Sequence, residues 1–225
     1  MIETKIGKYP CLLHLPENPK EKLPLILFLH GAGERGDGGN LPVVAVNGLP
    51  RELKKAEYRD YPAVVVCPQC PTESFWLAEL PFLRELLSVA EKTYGTASDR
   101  VIATGLSMGG FGTWGLGTRY PDLFAAIAPV CGGCMPWAAG ALKMPVRAFH
   151  GTEDTVVDVR ESIDMVRKAQ EGGNKDVVLT LYPGVGHNAL DFAYDKSLLD
   201  WFLTVSKKSE TEANTEPAKN AKQFG

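Results

Sequence analysis

Short apolar runs alternate with longer segments of helical periodicity along most of the chain. The runs at Tyr9 to Leu15, Leu25 to His30, Ala63 to Cys67, Val101 to Gly105, Ala125 to Val130, Val146 to His150 and Val177 to Tyr182 predict strands. Several, such as LILFLH, AVVVC and AIAPV, are apolar at every position, as strands covered on both faces are. Between them, Leu77 to Tyr94, Met108 to Arg119, Asp158 to Gln170 and Tyr194 to Val205 predict helices. In the last of these Leu198, Leu199, Phe202 and Leu203 mark one face. Strands that alternate with helices imply an α/β fold, with a mostly parallel central sheet and helices on both faces.

The 225 residues, 44% hydrophobic and 23% charged, suffice for one sizeable core. Residues 1–205 read as that domain. From Ser206 the sequence KKSETEANTEPAKNAKQFG carries few apolar residues, so 206–225 reads as a polar, flexible tail. A net charge of −3 gives no electrostatic reason to expect nucleic acid as a partner. No run approaches the roughly 18 apolar residues of a membrane span, and the N-terminus lacks the pattern of a secretory leader; both point to a cytoplasmic location. Five cysteines, an odd number, suggest free thiols rather than a disulfide framework.

The most informative stretch is VIATGLSMGGFG, which sets Ser107 between Gly105 and Gly109, after a strand and before a helix. A serine can attack a carbonyl only if its hydroxyl stands clear of its own backbone, and a sharp strand-to-helix turn holds it out. Such a turn is crowded two residues to either side, where only glycine fits. Composition alone produces the pentapeptide by chance in about one chain in twelve, so its context carries the reading. Met108 then starts the helix, and its unsatisfied N–H points to where an oxyanion would form.

A nucleophilic serine needs a base and an acid. The order nucleophile, acid, histidine excludes His14 and His30. His150 would need Asp122 as its acid, but a helix from Met108 carries Asp122 to the far side of the sheet at about 1.5 Å per residue. His187, in the loop PGVGHNA after a strand, remains. The acid comes from HGTEDTVVD, which offers Glu153 and Asp154; Asp158 reads as a helix N-cap with Glu161 three residues on. A second oxyanion donor belongs in HGAGERGDGGN, at the N–H of Ala32 or Gly33. That loop lacks both the GK[ST] ending and the GxGxxG spacing of phosphate-binding loops.

The ordered set HGAGERG, GLSMGG, HGTED and GHNA resembles the α/β-hydrolase superfamily over nearly all of Tyr9 to Val205. HGAGERG followed by PQCPTESFW is similar to its cap-less phospholipase/carboxylesterase and feruloyl-esterase-like branch, which includes predicted peptidases and dienelactone-hydrolase-like proteins. The resemblance implies an α/β-hydrolase fold without a large cap domain and a triad of Ser107, Asp154 and His187. It also implies oxyanion donors at Ala32 and Met108, no cofactor and a small-molecule ester as substrate. Serine rather than cysteine at position 107 argues against dienelactone hydrolysis itself. Gly33, Phe75, Trp76, Met135 and Trp137 fall in loops expected at the edge of the site and are candidates for a substrate pocket. Cys131 and Cys134 form a CxxC without the second pair that a zinc site needs, so no metal is expected and the two thiols read as incidental.

Overall fold

Eight strands form one sheet in the order β1-β2-β4-β3-β5-β6-β7-β8. The computed structural model describes residues 1–17, 19 and 22–207. The strands are β1 (Ile2–Ile6), β2 (Tyr9–His14), β3 (Leu25–Leu29), β4 (Val64–Pro68), β5 (Val101–Leu106), β6 (Ala126–Val130), β7 (Val146–Gly151) and β8 (Val177–Tyr182). From β4 through β8 neighbouring strands run parallel, while β1 and β2 pair antiparallel at one edge. Every residue of β3, β4, β5 and β6 is buried, which is why these four read as uninterrupted apolar runs.

Helices cover both faces. On one side α2 (Trp76–Tyr94), α3 (Met108–Arg119) and α4 (Arg160–Glu171) bury Leu83, Leu87, Trp114, Leu116, Met165 and Ala169 against the sheet. On the other lie α1 (Gly48–Glu52), α5 (Leu190–Ala193) and α6 (Lys196–Thr204), with Leu49, Leu198, Leu199 and Phe202 in the second core layer. The segment after β6 holds only a 3-10 turn at Pro136–Ala141, so no cap domain stands over the sheet.

Three features differ from the sequence expectation. β1 was not anticipated: IETKI is an edge strand with only Ile6 buried, joined to β2 by a two-residue turn at Gly7 (φ 59°) and Lys8. Helix α4 begins at Arg160, two residues later than expected. The Asp158 carboxylate accepts the Arg160 N–H at 2.9 Å, while Glu161 lies against Gly133 instead of closing a capping box. The helix expected from Tyr194 begins at Lys196 as α6, with Asp195 capping it through the Leu198 N–H at 2.9 Å, and is preceded by the short α5, which was not expected. Of the expected tail, residues 208–225 lie outside the described residues.

The strand order reverses around β3. The chain leaves β3 for β4 on one side, and β5 then pairs with β3 on the other. The loops after β3 and β5 therefore emerge side by side at the carboxyl edge, where α/β sheets bind ligands.

Candidate active site

Ser107 follows β5 directly, with φ 54° and ψ −119°, a conformation that non-glycine residues seldom adopt. The turn is held by the Ser107 N–H on Val130 O at 2.9 Å and the Phe111 N–H on Ser107 O at 3.0 Å. Its glycines answer to backbone crowding. A Cβ at Gly109 would stand 1.9 Å from Leu29 O, and one at Gly105 would stand 2.6 Å from both Leu29 O and Gly109 O. The spacing seen in the sequence is thus a consequence of β3 passing immediately beside the elbow.

The loops after β7 and β8 bring two further groups to Ser107. His187 Nε2 lies 2.9 Å from Ser107 Oγ, and His187 Nδ1 lies 2.7 Å from Asp154 Oδ2. The other carboxylate oxygen, Oδ1, accepts the N–H groups of Val156 and Val157, each at 2.9 Å. Burial pushes the Asp154 carboxyl pKa up. The N–H of Val157, the His187 ring and the N–H of Val156 together outweigh it and hold the pKa below the usual value. Asp154 is buried while His187 is partly exposed, so the carboxylate is fixed and the imidazole has access to solvent. Glu153 does not share this arrangement; its side chain is exposed.

Met108 occupies the first position of α3 and Ala32 the first position of a 3-10 turn, Ala32–Glu34, immediately beyond β3. At neither position does the N–H have an acceptor within its own helix. The intervening Gly31 lies close to Ser107: a Cβ there would stand 3.8 Å from Ser107 Cβ. His30 anchors this loop. Its Nδ1–H donates to Gly31 O at 2.6 Å, its Nε2 accepts the Cys70 N–H at 2.9 Å, and its carbonyl accepts the Trp76 indole N–H at 2.9 Å. Burial lowers its pKa to about 4, so the ring is neutral. The sequence reading excluded His30 as a base and gave it no other role; its neighbours come from 40 and 46 residues away.

The pocket candidates separate. A hollow of about 280 Å³ beside Met108 is lined by Phe75, Trp76, Leu77, Met108 and Phe111. Met135 lines an adjacent hollow of about 530 Å³ that shares Leu77 and Phe111 with the first. Gly33 and Trp137 line neither. Trp137 is 79% exposed on its 3-10 turn, and a Cβ at Gly33 would meet nothing within 4 Å. All five cysteines are free, as expected, but Cys131 is not incidental to the site. Its thiol packs beside Asp154, with Sγ 3.9 Å from His187 O, and burial pushes its pKa up to about 12.

Comparison with known proteins extends the geometry. No curated protein sequence matches the chain. A crystal structure of a thermostable esterase is 32% identical, with a TM-score of 0.70 over 88% of this chain; the match spans 59% of that longer protein. Esterase PE8 is 24% identical at a TM-score of 0.65, covering 87% of this chain and 99% of the other. A feruloyl esterase module from Clostridium thermocellum, complexed with sinapinate, is 17% identical at a TM-score of 0.70, covering 91% and 86%. The last two likenesses speak to the shared α/β-hydrolase fold. Residues 6–221 match the Esterase family model, described as "Putative esterase". With that match running across nearly the whole chain, over a mostly parallel sheet that sets Ser107 at its carboxyl edge, the protein belongs to the esterase family of α/β-hydrolases.

Proposed function

We propose that this protein is a serine hydrolase that cleaves small carboxylic esters through an acyl-enzyme, with Ser107 as nucleophile, His187 as general base and acid, and Asp154 as the group that orients His187. The observation that carries the reading is the continuous relay from Ser107 Oγ to His187 Nε2 at 2.9 Å and from His187 Nδ1 to Asp154 Oδ2 at 2.7 Å. A carboxylate can only accept, so Nδ1 carries a hydrogen and Nε2 presents its lone pair to the serine hydroxyl. As Oγ bonds to the ester carbonyl carbon, its proton passes to Nε2. Asp154, held ionised, stabilises the imidazolium that results.

The tetrahedral oxyanion falls to the N–H groups of Met108 and Ala32, and one such donor contributes about 3 to 4 kcal/mol to the transition state. Collapse breaks the bond to the alcohol oxygen, which takes the proton from His187 and leaves. Water then repeats the sequence on the acyl-enzyme, with His187 as base, and releases the acid. The apolar hollow beside Met108 accommodates one arm of the ester, with Phe75, Leu77 and Phe111 against it.

A fluorophosphonate probe followed by peptide mass spectrometry tests the assignment: the adduct is expected on Ser107, and adducts confined to other residues would overturn it. Turnover of p-nitrophenyl acetate is expected to vanish in Ser107→Ala and to fall about 10³-fold or more in Asp154→Asn, which keeps the shape but removes the charge. Equal turnover by wild type and Ser107→Ala would show that the relay is not the reacting centre. Thioesters and aminoacyl amides, run beside esters of graded acyl length, measure how far the same groups serve other leaving groups.

A further inference from the structure

Behind Asp154 lies a buried cluster that the ester chemistry does not use. Cys131 Sγ, a ring nitrogen of His150 and a carboxylate oxygen of Asp154 all lie within 4.8 Å of one another, and the His150 and Asp154 side chains are 0% exposed. Atoms of this kind at this spacing suit a metal ion. The hydrogen bonds around them favour a different reading.

His150 Nε2 lies 3.0 Å from Val157 O and 3.3 Å from Asp154 Oδ2. A carbonyl and an ionised carboxylate can only accept, so a bare ring nitrogen would turn its lone pair on two acceptors; Nε2 therefore carries a hydrogen. At the other end, Nδ1 lies 2.8 Å from Ser162 Oγ, which itself lies 2.8 Å from Gly132 O. Gly132 O also accepts the Trp114 indole N–H at 3.2 Å, so it is satisfied whichever way the serine hydroxyl points. If Ser162 donates to Gly132 O, Nδ1 must carry a hydrogen as well and the ring is an imidazolium. If Ser162 donates to Nδ1, the ring is neutral with its one hydrogen on Nε2. Both arrangements place a hydrogen on Nε2, where a metal would have to displace it.

We propose that His150 is a positioning residue of this esterase: its Nε2–H donates to Val157 O, the residue whose own N–H holds Asp154 Oδ1, and the same ring edge stands 3.3 Å from Asp154 Oδ2, the oxygen that receives His187 Nδ1–H, so it braces the acid from behind and draws off part of its charge. The proposal rests on the reading of Ser107, Asp154 and His187 as the reacting triad. With His150 in place, Oδ1 holds the N–H groups of Val156 and Val157, the Val157 carbonyl is held by the His150 ring, and Oδ2 receives His187 Nδ1–H, so the carboxylate and the turn that carries it are fixed and the plane of His187 is set with them. Without His150, Oδ2 would present more charge to His187 and favour its protonated, inactive form. The groups facing His150 are Asp154 from the loop after β7, Cys131 from the end of β6 and Ser162 from α4. Glu161, beside Ser162, lies against Gly133, and His187 stands beyond Asp154.

The test uses the full chain with His150→Leu and His150→Gln, reading kcat/KM for p-nitrophenyl acetate from pH 5 to 9 alongside Ser107→Ala. Glutamine extends an amide N–H to about the place of Nε2; leucine removes the donor. In His150→Leu, kcat is expected to fall about tenfold, the scale of one buried hydrogen bond lost from the Asp154 turn, and the acid limb to move to higher pH by about half a unit. His150→Gln is expected to return the limb to the wild-type position. An unmoved limb in the leucine variant, or the same limb in both variants, would overturn the proposal. Should His150→Leu fail to fold, nitrogen NMR of histidine-labelled wild type decides: a hydrogen on Nε2 supports the proposal, and a ring protonated on Nδ1 alone refutes it. Retained activity in Ser107→Ala would instead strike the triad reading, so the two failures are distinguishable.

Discussion

Acidification should weaken this protein first through a histidine outside the proposed triad. His30 is 1% exposed, and its folded pKa lies near 4 against an ordinary 6.5 because burial disfavours the imidazolium. Between these values the unfolded chain binds a proton that the folded protein refuses, so stability is full above about pH 6.5 and is lost as pH falls toward 4. One such group removes about 2.5 kcal/mol between pH 7 and 4.5, approaching a limit of about 3 kcal/mol. The carboxyls of Asp154 and Glu79, both lowered, contribute stability that is lost around and below their ordinary values of 3.8 and 4.5, at the acid end of the range. His14 is lowered too and adds in the same direction, so the effect must be isolated by substitution.

Urea unfolding followed by far-UV circular dichroism at several pH values from 7 to 4.5 measures it, comparing wild type with His30→Gln. The glutamine variant should be less stable at pH 7, having lost a fitted ring, but its stability should fall by about 2.5 kcal/mol less over the range. Activity carries a second signature, because protonation of Nε2 destroys its bond from the Cys70 N–H and loosens the Gly31–Ala32 loop. Parallel pH curves for the two proteins, within about 0.5 kcal/mol, would refute the account of His30 as a buried neutral ring.

Gly109→Ala is expected to abolish soluble, folded protein, since its Cβ would meet Leu29 O at 1.9 Å. Gly115→Ala should shift Tm by only a few degrees, because its nearest contact, 2.5 Å away, is the movable end of Leu77; thermal melts separate the two. Trp76→Phe strands the buried His30 carbonyl and should cost about 1–3 kcal/mol in urea unfolding, with a fall in kcat if the loop shifts. Cys131 should resist iodoacetamide at pH 8 in the native protein and react once urea exposes it; rapid native labelling would contradict its burial.

Legibility followed the source of each constraint. Strands β3 to β6 are covered on both faces, so their sequences are apolar throughout and stand out unaided. β1 is an edge strand whose register comes from pairing with β2, and IETKI carries little of that. The segment from Leu41 to Tyr58 folds into a five-residue helix between 3-10 turns, too short for any 3.6-residue period, yet it buries Leu41, Val44 and Leu49. At the site, Ser107 was readable because backbone crowding demands glycine at fixed positions around it. Glu153 and Asp154 could be told apart only through family resemblance; in the structure they differ by burial. His150 was set aside as a base because the helix from Met108 carries Asp122 away, and its neighbours Ser162, Val157 and Asp154 are tertiary contacts that the sequence does not reveal.

His187 is the one member of the relay that lies several residues beyond its strand, and its loop is placed by contact with the end of β7. The Glu153 N–H bonds Val185 O at 2.9 Å, and the Thr152 N–H bonds Tyr182 O at 3.1 Å. Gly151 closes the contact: a Cβ there would stand 2.2 Å from Val185 O and 2.3 Å from Gly186 O, both backbone atoms with no rotamer to yield. In Gly151→Ala the 185–186 segment must retreat by about 1 Å, and His187 retreats with it while β7 and the Asp154 turn stay in place. A displacement of that size at a reacting group costs about 10²-fold in rate. The expected result is a variant that melts within a few degrees of wild type, reacts slowly with fluorophosphonate at an intact Ser107, and has kcat reduced about 10²-fold. Wild-type kcat in Gly151→Ala would mean that the loop sets the position of His187 by itself, and the placement of the proposed base by the end of β7 would have to be abandoned.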